Sequence, residues 1–515
     1  MHRPPISCRV WLALGILVLA GANPALPAAD RPQWGEHFSR NMVSDEVGLP
    51  ESFDPNSNQN IKWRARLGTE THSTPVVAAG RVLIGTNNND PRDPKHQGDR
   101  GVLMCFDEKD GRFLWQLVVP KREGGDVYLD WPNAGICSPA TVEGDRVYIL
   151  NNRGEVMCLD LEGMANGNDG PFRDEGAHMA LRGAPPLKPG PTDADVLWVF
   201  DLVSGAGIYT HDSAHASILI HGPYLYLNTG NGVDNTHRRI RAPDAPSLVV
   251  LDKATGRLVA QDVEHIGPRI FHCTWSSPAL GEINRQPQII FGGGDGIVYS
   301  FAALPITGPA GLAAPGNQVL PLRKLWQFDC DPTAPKTDVH RFTGNHNESP
   351  SNIKSISVFY RNRVYVTVGG DLWWGKNKAW LKCIDATGSG DITQTGERWS
   401  YPLERHCMAT PAIHDGLVFV GDCGQKIHCV DAETGRPYWT QDAKGELWAS
   451  PLVADGKVYM ATRQGEFWVF AASKEKKILS RLKLDEPISS TPVAANGVLY
   501  VASMSILYAI QKTTH

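Results

Sequence analysis

Ala449-Ser-Pro-Leu-Val-Ala-Asp-Gly-Lys-Val-Tyr-Met460 consists of two short apolar runs that are separated by Asp455-Gly456. An Asp-Gly pair between alternating apolar residues is a strong local signal for a tight β-hairpin. The same pattern stands at residues 409–420 and 490–501, with Asp-Gly and Asn-Gly at the turn. The three copies predict a repeated β unit of about 40 residues.

A second pair of strands completes the unit. The sequence His428-Cys-Val-Asp-Ala-Glu-Thr-Gly-Arg-Pro-Tyr-Trp439 predicts a third strand that ends at Asp431, a Thr-Gly turn, and a fourth strand that carries Trp439. Four strands in about 40 residues are typical of one propeller blade. Hairpin starts recur at Pro75, Pro139, Ser217, Pro278, Pro350, Pro411, Pro451 and Pro492. We therefore expect an all-β chain in which residues 61–515 form a single eight-bladed β-propeller of four-stranded blades.

Insertions and a missing strand explain the irregular repeat spacing. Residues 161–195 and 303–322 are expected between third and fourth strands, and residues 87–101 and 230–245 between second and third strands. The last unit supplies only three strands before the chain stops. Residues 61–67 alternate in polarity and include Trp63, so we expect them to close the ring as the outer strand of the last blade.

Charge and the N-terminus bear on the class of partner and on location. The 515 residues contain 50 Lys and Arg against 55 Asp and Glu, a net charge of −5, so nucleic acid is not an expected partner.

Arg3 and Arg9 precede an apolar run at residues 10–20, and small residues follow. We interpret residues 1–29 as a signal peptide and residues 30–60 as an N-terminal extension, with an uncleaved anchor as the alternative. The expected location is periplasmic or secreted, and no transmembrane domain is expected after signal removal.

Several units share the pattern Leu/Cys-x-Asp-x-x-Thr-Gly-x-x-x-Trp with minor variations. It occurs at residues 105–115, 251–260, 383–399 and 429–439. These units resemble the tryptophan-docking repeats of pyrroloquinoline-quinone (PQQ)-type β-propellers. Proteins similar in this respect include the outer-membrane barrel-assembly propeller and quinoprotein alcohol dehydrogenase-like proteins. The resemblance implies an eight-bladed propeller, and it is compatible with both enzymes and non-enzymes.

The resemblance also implies candidates for a cofactor site on the loop face around the channel. A quinone would stack on Trp275 or Trp448, and Ca²⁺ would be held by oxygen ligands from Glu348, Asn347 and Asp371. Arg463 is a further cofactor-binding candidate, and Asp371 or Asp422 would act as the catalytic base. The sequence departs from the dehydrogenases in two respects: it contains no adjacent cysteine pair and no Cys-x-x-Cys-His haem motif.

A transition-metal site is a second hypothesis. His346 and His406, with Cys407 and Cys423, offer imidazole and thiolate ligands on the same predicted face, and Glu348 and Asp371 remain metal candidates there. The leading functional expectation is nevertheless non-catalytic. We expect an exported binding or scaffolding protein that takes a protein, peptide or glycan through its funnel-face loops. The alternative is a PQQ- and Ca²⁺-dependent dehydrogenase of alcohols or sugars.

Recurring cysteines and aspartates have structural explanations. Four cysteines stand two residues before a turn aspartate and are expected to be buried: Cys105, Cys158, Cys383 and Cys429. The aspartates at 107, 160, 252, 385 and 431 are expected to accept hydrogen bonds from turn amides. Five other cysteines lie near strand ends or in loops, and export would allow one or two disulfides among them: Cys137, Cys273, Cys330, Cys407 and Cys423.

Overall fold

Eight β-sheets, each built on four strands, surround a central channel in the computed structural model of the chain. The structure describes residues 1, 29–122, 131–212, 215–306 and 318–513. The expected eight-bladed propeller is therefore confirmed. The predicted signal peptide falls almost entirely on residues 2–28, which lie outside the described residues.

The first four blades follow one another along the chain. Blade 1 consists of Val76–Ala78, Arg81–Asn87, Arg100–Asp107 and Phe113–Pro120, and blade 2 of Thr141–Glu143, Arg146–Leu150, Glu155–Asp160 and Val196–Asp201. Blade 3 consists of Leu219–His221, Tyr224–Asn228, Leu248–Asp252 and Leu258–Gln261, and blade 4 of Ala279–Ile283, Gln286–Gly292, Ile297–Ala302 and Lys324–Asp329. Two short strands, Leu320–Pro321 and Gly390–Asp391, add in parallel to the outer edges of blades 3 and 4.

The other four blades complete the ring. Blade 5 consists of Ser351–Asn352, Val358–Tyr360, Arg363–Gly370, Ala379–Asp385 and Glu397–Leu403, and blade 6 of Ala412–His414, Leu417–Gly421, Lys426–Asp431 and Pro437–Asp442. Blade 7 consists of Leu452–Ala454, Lys457–Ala461, Glu466–Ala471 and Ile478–Lys483. Blade 8 consists of Val493–Ala495, Val498–Ala502, Ile506–Ile510 and, from the other end of the chain, Ile61–Arg66. The last of these pairs antiparallel with Ile506–Ile510, so the predicted closure of the ring is confirmed.

Neighbouring blades are joined by the repeated tryptophan. The indole N–H of Trp399 in blade 5 donates to the carbonyl of Ala432 in blade 6, at 3.0 Å, and that of Trp439 donates to the carbonyl of Ser473 in blade 7, at 3.1 Å. Gly435 lies beneath the ring of Trp399 with φ +70°, where an added Cβ would approach a ring carbon to 2.6 Å. The glycine of the Thr-Gly turn is thus required both by the turn and by the packed tryptophan.

The recurring cysteines and aspartates occupy equivalent positions. Each of the four cysteines faces the repeated tryptophan of the neighbouring strand, in the pairs Cys105 with Trp115, Cys158 with Trp198, Cys383 with Trp399 and Cys429 with Trp439. Asp431 Oδ1 accepts hydrogen bonds from the turn amides of Glu433 and Thr434, which confirms its structural role. All nine described cysteines are buried free thiols, so the disulfides that export would allow are not formed among them.

Residues 30–44 touch every blade. Arg31 pairs with Val77 of blade 1, and Val43–Ser44 pairs in parallel with Leu452–Ala454 of blade 7. Further hydrogen bonds reach the lead-in to blade 3 and blades 2, 4, 5, 6 and 8, through Pro32, Phe38, Ser39, Arg40, Asn41 and Ser44. The segment therefore crosses the channel against the first strands of the blades.

Arg40 fixes this segment at the axis. Its side chain is fully buried and donates to the carbonyls of Trp34, Ser217 and Pro278 at 2.9 to 3.1 Å. Within the described residues its hydrogen-bond acceptors include no carboxylate, and burial lowers the pKa of Arg40. Backbone carbonyls of three chain segments thus hold the buried guanidinium of Arg40. Through this side chain the N-terminal segment is attached to the propeller.

Helices are short and lie between strands. Glu175–Met179 and Leu202–Gly205 are α-helical, and Gly163–Ala165, Gly267–Arg269 and Val339–Phe342 are 3₁₀-helical. No helix in the described part of the chain has the length and apolar character needed to cross a membrane. The insertions at residues 87–101, 161–195 and 230–245 fall between the strands where the sequence predicted them, and the predicted insertion at 303–322 lies partly outside the described residues.

The start of blade 5 differs from the prediction. The backbone N–H of Ile356 donates to Oγ1 of Thr410, just as the N–H of Thr410 donates to Oγ of Ser450 in the next blade. Because Thr410 precedes Pro411, the counterpart of that proline in blade 5 is Ser357, and the assignment of Pro350 as the hairpin start was wrong. The extra residues split the first strand into Ser351–Asn352 and Val358–Tyr360.

Candidate functional site

A cavity of about 470 Å³ lies on the channel axis, where the segments that lead into the first strands converge. Every blade contributes one residue to the wall, and this residue lies two positions before the inner hairpin strand of the blade. The eight residues are Thr74, Pro139, Ser217, Ser277, Ile356, Thr410, Ser450 and Thr491. Trp34 from the N-terminal segment lies among these residues. Concave sites that gather residues from many elements are the usual binding sites of propellers.

Tryptophans dominate the wall of the cavity. Besides Trp34, it is lined by Trp131, Trp275, Trp373, Trp374 and Trp448. Trp373 meets both Trp275 and Trp448 edge to face, with centroid distances of 6.3 and 6.1 Å. Cations lie on these rings: Nζ of Lys354 is 4.4 Å from the centroids of Trp275 and Trp373. The guanidinium of Arg463 is 4.4 Å from that of Trp448. The cavity thus has aromatic walls with positive charge held against them.

Lys354 and Asp371 form a fully buried ion pair beside the cavity. Nζ of Lys354 lies 2.7 Å from Oδ2 of Asp371, and Oδ1 accepts the backbone N–H groups of Trp373 and Trp374 at 3.0 Å. Burial opposes both charges, but the ammonium and His272 lower the pKa of Asp371 well below its ordinary value. Asp371 in turn raises the pKa of Lys354 against the effect of burial. Both groups are therefore charged at neutral pH.

Three histidines and one aspartate meet next to this pair. The four residues are His211, Asp212, His237 and His272, and each offers a ligand atom within 4.8 Å of all the others. Nε2 of His211 is 3.1 Å from Nε2 of His237 and 3.2 Å from Oδ2 of Asp212. Nε2 of His272 is 3.4 Å from the same Oδ2, while its Nδ1 is 2.9 Å from Oδ2 of Asp371. We call this group the histidine cluster.

Burial and mutual contact set the charges in the histidine cluster. Burial, together with the two other imidazoles, lowers the pKa of His237 to about 4. Burial opposes the charged form of Asp212, yet hydrogen bonds with His211 and His272 lower its pKa. His272 is the exception: although burial lowers its pKa, Asp371 raises it above its ordinary value. His272 is therefore the imidazole of the cluster that most readily carries a proton, because it lies between the carboxylates of Asp212 and Asp371.

The structure brings together only part of the predicted cofactor set. Trp275, Trp448 and Arg463 line the cavity, and Asp371 lies behind Trp373 and Trp374. Asn347 and Glu348 lie on an exposed turn and are not among the lining residues. These placements leave the predicted roles as hypotheses.

The other predicted residues lie apart from the histidine cluster. Asp422 is buried and held by His428 Nε2 at 3.0 Å, and it does not line the cavity. His346 is exposed, with Nδ1 2.9 Å from the carbonyl of Gly375. His406 is buried, which lowers its pKa to about 3. Among the described residues, the histidine cluster includes none of His346, His406, Cys407 and Cys423.

The contacts of the Asp371 carboxylate decide whether Ca²⁺ could bind beside it. Oδ2 of Asp371 is shared by the ammonium of Lys354 and the ring of His272, and Oδ1 is engaged by two backbone amides. A lysine therefore occupies the position of a cation next to this carboxylate. Since Ca²⁺ takes six to eight oxygen ligands, the described residues around Asp371 do not fit it.

Sequence reasoning missed Lys354 and the histidine cluster as a unit. Lys354 sits in the extra residues of blade 5, and the long spacing between Pro350 and the Arg361-Asn362 turn was its only sequence signal. His211 and His237 are separated by 25 residues that include two strands, and His272 comes from the next blade. These histidines become neighbours only because blades 3 and 4 are adjacent in the folded ring.

Comparisons with known proteins show what the chain is similar to. A sequence profile described as outer membrane protein assembly factor BamB matches residues 53–166 and 377–478. Quinohemoprotein alcohol dehydrogenase from Comamonas testosteroni is 34% identical over 61 residues, which cover 12% of this chain and 9% of that protein. Lupanine 17-hydroxylase [cytochrome c] from a Pseudomonas species is 22% identical over 534 aligned positions, covering 89% of this chain and 66% of that protein.

A solved structure agrees with the fold. BamB from Moraxella catarrhalis superimposes with a TM-score of 0.50 at 13% sequence identity, covering 88% of this chain and 97% of that one. At this identity the likeness concerns the fold alone. The chain spans less than two thirds of the length of each of the two curated relatives above.

Proposed function

We propose that this chain, a β-propeller whose repeats are similar to those of the PQQ-type propellers, is an exported binding protein that holds the end of a glycan in its tryptophan-lined cavity. This family includes both catalytic and non-catalytic members, so the fold alone does not choose between them. The proposal rests on the lining of the cavity.

The exposure of three tryptophans carries the proposal. Trp131, Trp373 and Trp374 are 55%, 40% and 37% exposed, and all three line the same cavity. Large aromatic side chains left open to water in one concave place mark a binding site, since burying them on a ligand gains free energy. Because the indole rings are oriented at different angles, they can contact a ligand from more than one side.

Polar groups around the rings favour a sugar over a purely apolar ligand. Glu70, His72 and Arg463 line the cavity beside Trp448, and Ser489 accepts a hydrogen bond from Arg463 at 2.8 Å. A sugar ring presents C–H groups to an indole face and hydroxyls to charged and polar groups at its edge. Such a mixture of aromatic faces and a few polar groups gives both affinity and orientation.

Glycan binding is testable through the tryptophans themselves. We expect titration with a panel of oligosaccharides to change tryptophan fluorescence saturably for at least one member. Trp373→Ala and Trp374→Ala should each weaken that binding by at least tenfold, which corresponds to about 1.4 kcal/mol. Ile478→Ala is the matched control, because Ile478 is 44% exposed on the outer strand of blade 7, away from the cavity. Equal affinity in all three variants would contradict the proposal.

PQQ is the second candidate ligand, because cations lie against flat aromatic rings in the cavity. Lys354 and Arg463 over Trp275 and Trp448 would suit a planar anion. The misfit of Ca²⁺ at Asp371 speaks against a PQQ- and Ca²⁺-dependent dehydrogenase. Adding PQQ with and without Ca²⁺ tests this candidate: dye reduction with an alcohol or sugar, together with a raised melting temperature, would replace the binding-protein proposal. A cofactor at a hundredfold excess over its Kd should stabilise the fold by about 2.7 kcal/mol.

Export is proposed from the N-terminal sequence. Arg3, Arg9 and the apolar run at residues 10–20 have the order of a signal peptide. Expression in a bacterium followed by fractionation should place the protein outside the cytoplasm. N-terminal sequencing should then begin near residue 30, whereas an intact N-terminus would support the anchor instead.

A further inference from the structure

We propose that the histidine cluster, His211, Asp212, His237 and His272, binds one divalent transition-metal ion of the Zn²⁺ type. This inference goes beyond glycan binding and does not depend on it. The ligand types point to such an ion, because imidazole nitrogen suits Zn²⁺, Cu²⁺ and Ni²⁺.

The distances between the ligand atoms match a tetrahedral site. Zn²⁺ binds histidine nitrogen and carboxylate oxygen at about 2.0–2.2 Å, so ligand atoms at the corners of a tetrahedron lie about 3.3–3.5 Å apart. The observed separations are 3.1 Å between His211 and His237, and 3.2 and 3.4 Å from Asp212 to His211 and His272. Three of the six separations thus have nearly the tetrahedral value, and all four ligand atoms lie within 4.8 Å of one another.

The surroundings of His272 prepare its Nε2 as a metal ligand. Its Nδ1 lies 2.9 Å from Oδ2 of Asp371 and 3.2 Å from Nζ of Lys354, and the carboxylate is also held by Lys354 and by the amides of Trp373 and Trp374. A carboxylate behind a histidine fixes the proton on Nδ1 and leaves the Nε2 lone pair for the metal. Nε2 of His272 is buried, and the carboxylate of Asp212, itself a proposed ligand, lies 3.4 Å from it.

Charge and access are also suitable. Once His272 gives up its proton to bind an ion, Asp212 and Asp371 carry two negative charges against the single positive charge of Lys354, so the region attracts a cation. Asp212, His237 and His272 line the cavity, which gives an ion a route from solvent. The bound ion would face the cavity from its wall.

A second cluster in the described residues shows the contrast. Asp93, His96 and Asp193 also lie within 4.8 Å of one another. There, however, Nζ of Lys95 is 2.6 Å from Asp193 and 3.1 Å from Asp93, so an ammonium already contacts both carboxylates at the place where an ion would bind. With one imidazole and a resident lysine, that cluster does not call for a metal.

The experiment measures metal binding directly on the full chain. Chelator-treated protein is titrated with Zn²⁺ and Co²⁺, the stoichiometry is determined by elemental analysis, and affinity by competition with a chromophoric chelator. We expect one ion per chain and a visible Co²⁺ spectrum typical of four or five ligands. Ca²⁺ should not compete, because it prefers oxygen ligands.

Variants locate the site. His237→Ala removes a partly exposed ligand and should weaken Zn²⁺ binding by more than ~100-fold, while Asp371→Asn, which acts behind His272, should weaken it ~10–100-fold. His72→Ala is the matched control, since His72 lines the same cavity beside Trp448 but offers no ligand to the histidine cluster. Its affinity should equal that of the wild type.

Two results would overturn the inference: no stoichiometric binding of Zn²⁺ or Co²⁺ by the wild type, or wild-type affinity in a folded His237→Ala variant. Circular dichroism and a melting curve establish that each variant is folded. Glycan binding is measured by the fluorescence of tryptophans that are not metal ligands. A failure to bind glycans would therefore not affect the metal-binding result, and a failure to bind metal would not affect the glycan result.

Discussion

Nζ of Lys354 lies 2.7 Å from Oδ2 of Asp371, and neither side chain has any surface exposed to water. A buried pair of this kind gains little over an apolar pair, but removal of one partner leaves an uncompensated charge in the interior. We expect Lys354→Met to reduce the free energy of unfolding by about 3–5 kcal/mol. The double variant Lys354→Met, Asp371→Leu should recover part of that loss. Urea denaturation followed by tryptophan fluorescence measures both.

A surface pair provides the control for this prediction. Lys444 and Asp442 are 3.2 Å apart with about half of each side chain exposed. Lys444→Met should change the free energy of unfolding by no more than about 1 kcal/mol. If both methionine variants unfold alike, the buried pair is not charged as described.

Arg40 supports a second prediction, because it anchors the segment that crosses the channel. Arg40→Met removes the hydrogen bonds to the carbonyls of Trp34, Ser217 and Pro278 and leaves these acceptors buried. Each buried unsatisfied acceptor costs about 1–3 kcal/mol, so we expect a clearly lowered melting temperature. Arg40→Lys should not restore it, since a single ammonium cannot match the geometry of the guanidinium fork. A melting temperature like that of the wild type would show that the segment is held elsewhere.

The fold could be predicted from sequence because each blade repeats a local signal. Asp455-Gly456 fixes a hairpin from adjacent residues, and Asp431, Gly435 and Trp439 mark the second half of a blade in the same way. Trp63 could be assigned to the last blade because it matches the tryptophan that unit lacks. Local turn chemistry and strand periodicity are readable without knowledge of distant contacts.

The candidate site was less predictable because its contacts are distant in sequence. Trp275, Trp448 and Arg463 were identified by their place before or between strands, and they do line the cavity. The histidine cluster depends on the distance between blades 3 and 4, which no local pattern encodes. Lys354 was hidden by the irregular first strand of blade 5, where the expected repeat register fails.

Ring closure gives a third prediction. Trp63 on the closing strand donates its indole N–H to the carbonyl of Glu108 at 2.9 Å and packs in the core between blades 8 and 1. Trp63→Ala should lower the free energy of unfolding by about 3–5 kcal/mol, as for other large core truncations. Lys62→Ala, at the exposed neighbouring position, should have little effect. Deletion of residues 61–67 should be more severe than either, and a deletion variant that melts like the wild type would refute closure.

Thiol reactivity gives a fourth prediction. Burial raises the pKa of Cys158, Cys383 and Cys429 to about 12, so the reactive thiolate is scarce at neutral pH. We expect these three, with Cys105, to resist a thiol reagent in the native state and to react once the chain is unfolded. Mass spectrometry of labelled peptides identifies each site. Rapid native labelling at two or more of them would contradict the packing of cysteine against tryptophan.

Glu155 predicts how stability depends on pH. This buried carboxylate in blade 2 lies 2.8 Å from Nε2 of His178 and accepts a hydrogen bond from Asn151. Burial opposes its charge, but His178 and the neighbouring Arg153 lower the pKa of Glu155 to about 2. Because the pKa is lower in the folded chain, the stabilisation is present above the unfolded value near 4.3 and is lost as pH falls towards 2, in total about 3 kcal/mol. Glu155→Gln should therefore lose less stability between about pH 5 and pH 2 than the wild type. Glu162→Gln, at a half-exposed carboxylate, should follow the wild-type curve, and parallel acid curves for wild type and Glu155→Gln would show that this carboxylate is not the group that titrates.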